Sequence, residues 1–194
     1  MDQQQVLDQF REAEALLEGH FILSSGLHSP VFLQCARVMM DPARGELLCA
    51  ALAKKVQAAI DQEIDVVVSP AMGGVIVGYE VGRQLGIETM FVERVDGTFT
   101  FRRGFGLKPG AKVLMVEDVV TTGLSSKECI KEIIAGGGNV VAGASLIDRS
   151  NGTADIGVPL VSLAMIDAPS YDANNLPPEL ASTPGVKPGS RNLK

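Results

Sequence analysis

The stretch from Lys112 to Ser126, KVLMVEDVVTTGLSS, constrains this chain more than any other. Val113, Leu114, Met115 and Val116 form a short apolar run of the kind found in buried central strands. Two carboxylates follow, Glu117 and Asp118, then Val119 and Val120. Thr121, Thr122, Gly123, Leu124, Ser125 and Ser126 make a hydroxyl-rich glycine turn, and Ile130, Ile133 and Ile134 mark the apolar side of a helix beyond it. The order is strand, acidic pair, turn, helix. Such a turn leaves backbone N–H groups free at the positive end of the helix dipole, which suits a phosphate. The carboxylates repel phosphate, but accept hydrogen bonds from sugar hydroxyls or hold Mg²⁺ through water. A sugar phosphate satisfies both halves. The plain alternative is an ordinary strand-to-helix turn with two solvated acids.

The rest of the chain repeats this rhythm. Strands are expected near 64–69, 88–93, 112–117, 139–147 and 160–166, alternating with helices. That order implies an α/β fold with a mainly parallel central sheet and helices on both faces. Asp41-Pro42 starts a helix with Leu47, Leu48, Ala51, Leu52, Ala59 and Ile60 as apolar positions. Gly73 and Gly74, directly after a strand, serve either close helix packing or close approach to a ligand. At the N-terminus, Val6, Leu7, Phe10, Ala13 and Leu17 fall at helical spacing, with Gly19 as a stop signal. Phe21–Leu23 and Val31–Leu33 read as a hairpin around Ser24, Ser25 and Gly26.

The segment from Glu93 to Gly110 breaks the rhythm with four glycines, three arginines and Phe99, Phe101 and Phe105. Thr98 to Arg102 alternates polar and apolar, as a two-stranded flap does. Exposed aromatics and arginines on it fit a mobile lid or partner contact; a solvated hairpin with salt bridges fits equally. Asp148-Arg149 closes a strand, either as an ion pair or as groups pointing into a binding crevice. The tail from Asp167, rich in proline, glycine and asparagine, is expected to be loosely ordered or draped over the surface.

A length of 194 residues suits one domain with a full core. A net charge of -6 argues against nonspecific nucleic-acid binding. Cys35, Cys49 and Cys129 are scattered and odd in number, as free thiols in a reducing compartment are. With His20 and His28 the only histidines, no zinc spacing exists. The polar N-terminus resembles no signal peptide and no apolar run reaches membrane-spanning length, so a cytoplasmic location without membrane partners is expected.

The Lys112–Ser126 stretch resembles the phosphoribosyl-diphosphate (PRPP) signature of the type I phosphoribosyltransferases. Leu23, Ser25, Gly26, Ser29, Pro30, Phe32 and Leu33 resemble the N-terminal hood of the orotate phosphoribosyltransferases within that group. The resemblance runs from Phe21 to Arg149. It implies a single phosphoribosyltransferase domain over 1–194, with a hood at about 19–40, a core at about 41–166 and an irregular tail over 167–194. It also implies Mg²⁺-dependent transfer of the phosphoribosyl group from PRPP to orotate, giving orotidine 5′-monophosphate and diphosphate in pyrimidine biosynthesis.

By the same resemblance, PRPP falls to Met72, Gly73, Gly74 and the run from Glu117 and Asp118 through Val119, Val120, Thr121, Thr122, Gly123 and Leu124 to Ser125. Orotate falls to Ser25, Gly26, Phe32, Thr121 and Arg149, with Phe32 stacking on the base. Catalysis falls to Asp118 and to Arg94, Arg102 and Arg103 on a loop that closes over the neighbouring subunit's site in a homodimer. Mg²⁺ is held mainly by PRPP and water. The chain departs from the family at Ser24 and Met72, where relatives carry lysines, and in the loop, which lacks the usual lysines and histidine. A purine phosphoribosyltransferase, a PRPP-binding regulator without turnover and a generic nucleotide-binding domain are the rival readings.

Overall fold

The computed structural model describes residues 1–23 and 25–188. Helix α1, Gln3–Glu12, opens on a reciprocal cap in which Asp2 accepts from the Gln5 amide and the Gln5 side chain accepts from the Asp2 amide. It buries Val6 and Phe10 but stops earlier than the apolar spacing suggests. Leu17 and Gly19 belong instead to strand β1, Leu16–Ile22, which pairs antiparallel with β2, His28–Leu33. Leu17 fell at helical spacing by coincidence; in the strand it pairs with Phe32, and Gly19 lies in the bulge between Glu18 and Phe21. Ser24, where a family lysine is replaced, lies outside the described residues.

A short 3₁₀ segment, Cys35–Met40, leads into α2, Pro42–Ala59, which Asp41 caps through the Ala43 amide as its sequence predicts. Strand β3, Val66–Pro70, helix α3, Gly73–Leu85, and strand β4, Glu88–Val95, follow. Then come β5, Thr98–Phe101, β6, Lys112–Val120, and α4, Leu124–Ala135. Strands β7, Asn139–Asp148, and β8, Leu160–Met165, and the short helix α5, Pro178–Ala181, complete the order.

The main sheet has six strands in the order β5-β4-β3-β6-β7-β8. All neighbours are parallel except β4 and β5. One core, containing Val6, Phe10, Leu48, Leu52, Val77, Leu114 and Val116, joins α1, α2 and α3 to one face. The other, containing Val68, Val113, Met115, Cys129, Ile130 and Ile133, joins α4 to the opposite face. Strand β6 therefore sends alternate side chains into two different cores. The chain passes from β7 to β8 through a loop that buries Ile156.

Two further details depart from the sequence expectation, and a third decides between the alternatives left for the tail, which is draped over the hood. Strand β6 runs through Val120, because it stays paired with β7 as far as Val120 and Asp148. The flap strand β5 is the antiparallel edge of the main sheet, with Phe99 buried and Phe105 packed edge-on against Phe91 at 5.2 Å, so these aromatics are not free. The tail is hydrogen-bonded to the hood on both sides. Tyr171 exchanges backbone bonds with His28, and Val186 bonds with His20 and Ile22. His20 Nδ1 lies 2.6 Å from the Thr183 carbonyl oxygen and so donates to it.

A candidate active site at the carboxyl ends of β3, β6 and β7

The loops after β3, β6 and β7 emerge along one edge of the sheet, the position at which open α/β sheets bind ligands. The Ala71–Met72 peptide there is cis, and Met72 is exposed. Gly73 and Gly74 form the first turn of α3. A Cβ at Gly73 would stand 2.7 Å from both Asp118 carboxylate oxygens, and one at Gly74 would stand 3.0 Å from the Val116 carbonyl oxygen. The two glycines thus let the start of α3 approach β6 until its backbone lies against the carboxylate.

Asp118 and Glu117 point to opposite faces, as neighbours on a strand must. Asp118 faces α3 and the 3₁₀ segment, close enough to Cys35 to raise that thiol's pKa further above the level set by burial. Burial raises the Asp118 pKa as well, opposed by hydrogen bonds from the backbone at Val119 and Asp118 itself. Glu117 faces α4, where it is buried and accepts a short hydrogen bond from Ser126 Oγ. Desolvation pushes its pKa up to about 7; the Ser126 and Ser125 hydroxyls and Arg94 oppose the rise, while Asp118 adds to it.

Thr121 and Thr122 are exposed at the turn. Gly123 has φ +78°, and a Cβ there would meet Ile156 Cγ2 at 2.9 Å, so both backbone and space demand glycine. Leu124 opens α4, and its amide lies 3.4 Å from Thr122 Oγ1.

Arg149 follows β7, its amide bonded to the Val120 carbonyl. Its guanidinium reaches the hood, where one terminal nitrogen donates to Ser29 Oγ at 3.1 Å. Asp148 does not pair with it; that carboxylate accepts from the Ser150 and Gly152 amides and the Ser150 hydroxyl. Arg149 Nε is buried with no hydrogen-bond partner among the described residues, and burial lowers the group's pKa.

Ser25 and Gly26 sit on the exposed hairpin turn. Phe32 lies against Phe21 with ring centroids 5.8 Å apart. Alternation along β2 puts it on the face opposite Ser29, so the structure does not bring Phe32 and Arg149 to a common face.

The loop arginines are engaged elsewhere. Arg94 lies over the Phe99 ring at 4.1 Å, donates to the Gly97 carbonyl at 2.7 Å and pairs with Glu128 at 2.5 Å. Arg103 forks onto Glu93 at 2.8 and 3.0 Å, and Arg102 is exposed. Within one chain, then, Gly73, Asp118, the threonine turn, Ser29 and Arg149 line one edge of the sheet. Of the three arginines, Arg94 is near enough to Glu117 to favour its charged form, while Arg103 is held by Glu93.

Sequence reasoning did not single out Ser29 or Ser126 as site residues. Ser126 carried a readable signal. It shares helical spacing with Cys129, Ile130 and Ile133, which makes it a hydroxyl in the buried stripe of α4.

The geometry defines an α/β protein with a hydroxyl-rich glycine turn at a helix start, a paired-acid strand end and a half-buried arginine that has no acidic partner among the described residues. The phosphoribosyl transferase domain family matches residues 41–181. Orotate phosphoribosyltransferase of Rhizorhabdus wittichii is 62% identical over 191 residues, covering 98% of this chain and 97% of its own. The Caulobacter vibrioides protein of that name is 60% identical over 194 residues, with full coverage of both. The crystal structure of orotate phosphoribosyltransferase from Aeropyrum pernix aligns with TM-score 0.68 at 25% identity, covering 83% of this chain and 93% of that one. The chain belongs to the phosphoribosyl transferase family and, within it, to the orotate phosphoribosyltransferases.

Proposed function

We infer that the chain transfers the phosphoribosyl group of PRPP to orotate, releasing diphosphate. The observation that favours orotate is Arg149: a half-buried cation tied to the hood by Ser29, with one buried N–H unpartnered. A base bearing a carboxylate satisfies both the N–H and the charge; an uncharged purine can accept the hydrogen bond but leaves the charge unpaired.

In this reading the turn Thr121–Ser125 holds the 5′-phosphate at the start of α4, and Glu117 and Asp118 accept from the ribose hydroxyls. The backbone at Met72, Gly73 and Gly74 lies beside the diphosphate. As the C1–oxygen bond to diphosphate breaks and the bond to the orotate ring nitrogen forms, that nitrogen giving up its proton to the departing diphosphate, positive charge develops on the ribose, and the two acids stabilise it. Arg94, Arg102 and Arg103 neutralise the leaving diphosphate once the loop closes, and closure excludes water. Ser25 and Gly26 bring the hood's turn toward the base.

The donor set suits Mg²⁺ carried on the ligand's own oxygens and water. Among the described residues no group of three His, Cys, Asp or Glu is placed to hold a metal, and Glu117 is already bonded to Ser126. The ion supplies charge neutralisation at the diphosphate.

The same reading makes the protein a homodimer in which one subunit's loop serves the other's site. Met72, the N-cap of α3, and Ile76 and Tyr79 on that helix are 84, 58 and 64% exposed, an apolar stripe that a second copy would cover. A cytoplasmic location agrees with three buried free cysteines. Consumption of orotate with PRPP and Mg²⁺, followed spectrophotometrically, tests the assignment; turnover of adenine or hypoxanthine and not orotate would refute it.

A further inference from the structure

Ser126 is the single polar member of the sheet-facing side of α4, beside Cys129, Ile130 and Ile133, and is fully buried. A hydroxyl in such a stripe needs a partner, and it has one: Glu117, which carries its side chain into the same core from β6. We infer that Ser126 is a positioning residue for the transfer reaction. Its hydroxyl fixes Oε2 of Glu117, so that the carboxylate presents Oε1 to the ribose hydroxyls of a pentose phosphate seated on the turn Thr121–Ser125. This inference rests on the ribose role proposed for Glu117.

Two features of the site require such a partner. Glu117 is only 6% exposed, so water alone cannot orient it or sustain its charge. Its position also lets the donor act from one side only. The groups that act on it are Asp118, from the opposite face of its own strand, Arg94 from β4, and Ser125 and the Cys129 thiol from α4, while β7 brings the neutral Ser145 alongside. Of these, Asp118 opposes ionisation of Glu117 and Arg94 favours it from a place already shared with Glu128. Ser126 is the hydrogen-bond donor that favours the ionised, oriented form most strongly. Without it, burial would hold Glu117 protonated to a higher pH.

The test compares the full-length protein with Ser126→Ala, Ser126→Thr and Glu117→Gln. Steady-state kcat and PRPP KM are measured at half-unit steps from pH 6 to pH 9, with thermal melts to confirm folding. Ser126→Ala should raise the PRPP KM about fivefold at pH 7, where wild-type Glu117 is about half ionised, with a smaller change in kcat. The defect should shrink toward pH 9 as Glu117 ionises. Ser126→Thr, which keeps the hydroxyl, should restore the wild-type pH profile. A PRPP KM for Ser126→Ala that equals wild type, or is raised equally at every pH, would overturn the inference even if the threonine variant fails to fold. Glu117→Gln separates the two layers. If it leaves the PRPP KM unchanged, the ribose role falls and the inference with it. If it raises KM while Ser126→Ala does not, only the inference falls.

Discussion

Gly73 and Asp118 stand so close that a single methyl group on the glycine would lie 2.7 Å from both oxygens of the carboxylate. The start of α3 is fitted around that acid. Alanine normally favours a helix over glycine by about 1 kcal/mol, so propensity alone predicts that Gly73→Ala stabilises the protein. Overpacking at this distance costs about 1–3 kcal/mol and outweighs that gain. Gly73→Ala should therefore lower the melting temperature and reduce kcat/KM for PRPP. A melting temperature at or above wild type in a thermal melt would show that Asp118 moves aside freely.

Arg149 carries the distinction between orotate and a neutral base. Removing a charged hydrogen-bonding partner costs about 1.5–3 kcal/mol, or roughly ten- to a hundredfold in binding. Arg149→Met should raise the orotate KM by that factor and leave the PRPP KM within about twofold. Steady-state kinetics with each substrate varied in turn reads both. An equal rise in both constants would mean that Arg149 supports the whole crevice and not the base alone.

Glu93 holds Arg103 in a two-pronged ion pair that diphosphate must displace if the loop closes as proposed. Arg103 is exposed and Glu93 partly so, and ion pairs open to solvent are weak, so the competition is modest. Glu93→Gln should tighten diphosphate binding, by up to about fivefold, as measured by isothermal titration calorimetry. The gain should vanish in an Arg103→Ala background. A gain that persists there would assign the effect to overall charge.

Glu117 also marks the protein's stability with a pH signature. Burial raises its folded-state pKa from 4.5 to about 7. The folded protein then binds more protons than the unfolded chain between those values, so stability falls as pH rises through that window and levels off above it. The loss is about 3 kcal/mol by pH 8. Glu117→Gln should flatten this slope in urea melts taken from pH 5 to pH 8. The same slope in the variant would trace it to another group, such as Asp118, whose pKa burial also raises.

The central βα unit was legible because its signal is local. The apolar run Val113–Val116, the acids and the turn lie within one stretch of chain, and the α2 start at Asp41-Pro42 is equally local. What escaped depends on partners distant in sequence. The extension of β6 to Val120 comes from pairing with β7, and the burial of Phe99 from the edge of the sheet and α4. Leu17 satisfied a helical spacing, yet its place was decided by pairing with Phe32. The tail has no periodicity of its own because the hood supplies its hydrogen-bond partners at His20, Ile22 and His28. In the site, adjacent letters in the sequence concealed that Glu117 and Asp118 enter different cores, each with its own neighbours: Ser126 for one, Gly73 for the other.

The most direct measurement is a crystal structure with PRPP and Mg²⁺ bound. The account predicts the 5′-phosphate on the amides and hydroxyls of Thr121–Ser125, with the ribose hydroxyls against Glu117 and Asp118. PRPP seated elsewhere, with that turn left to solvent, would contradict it.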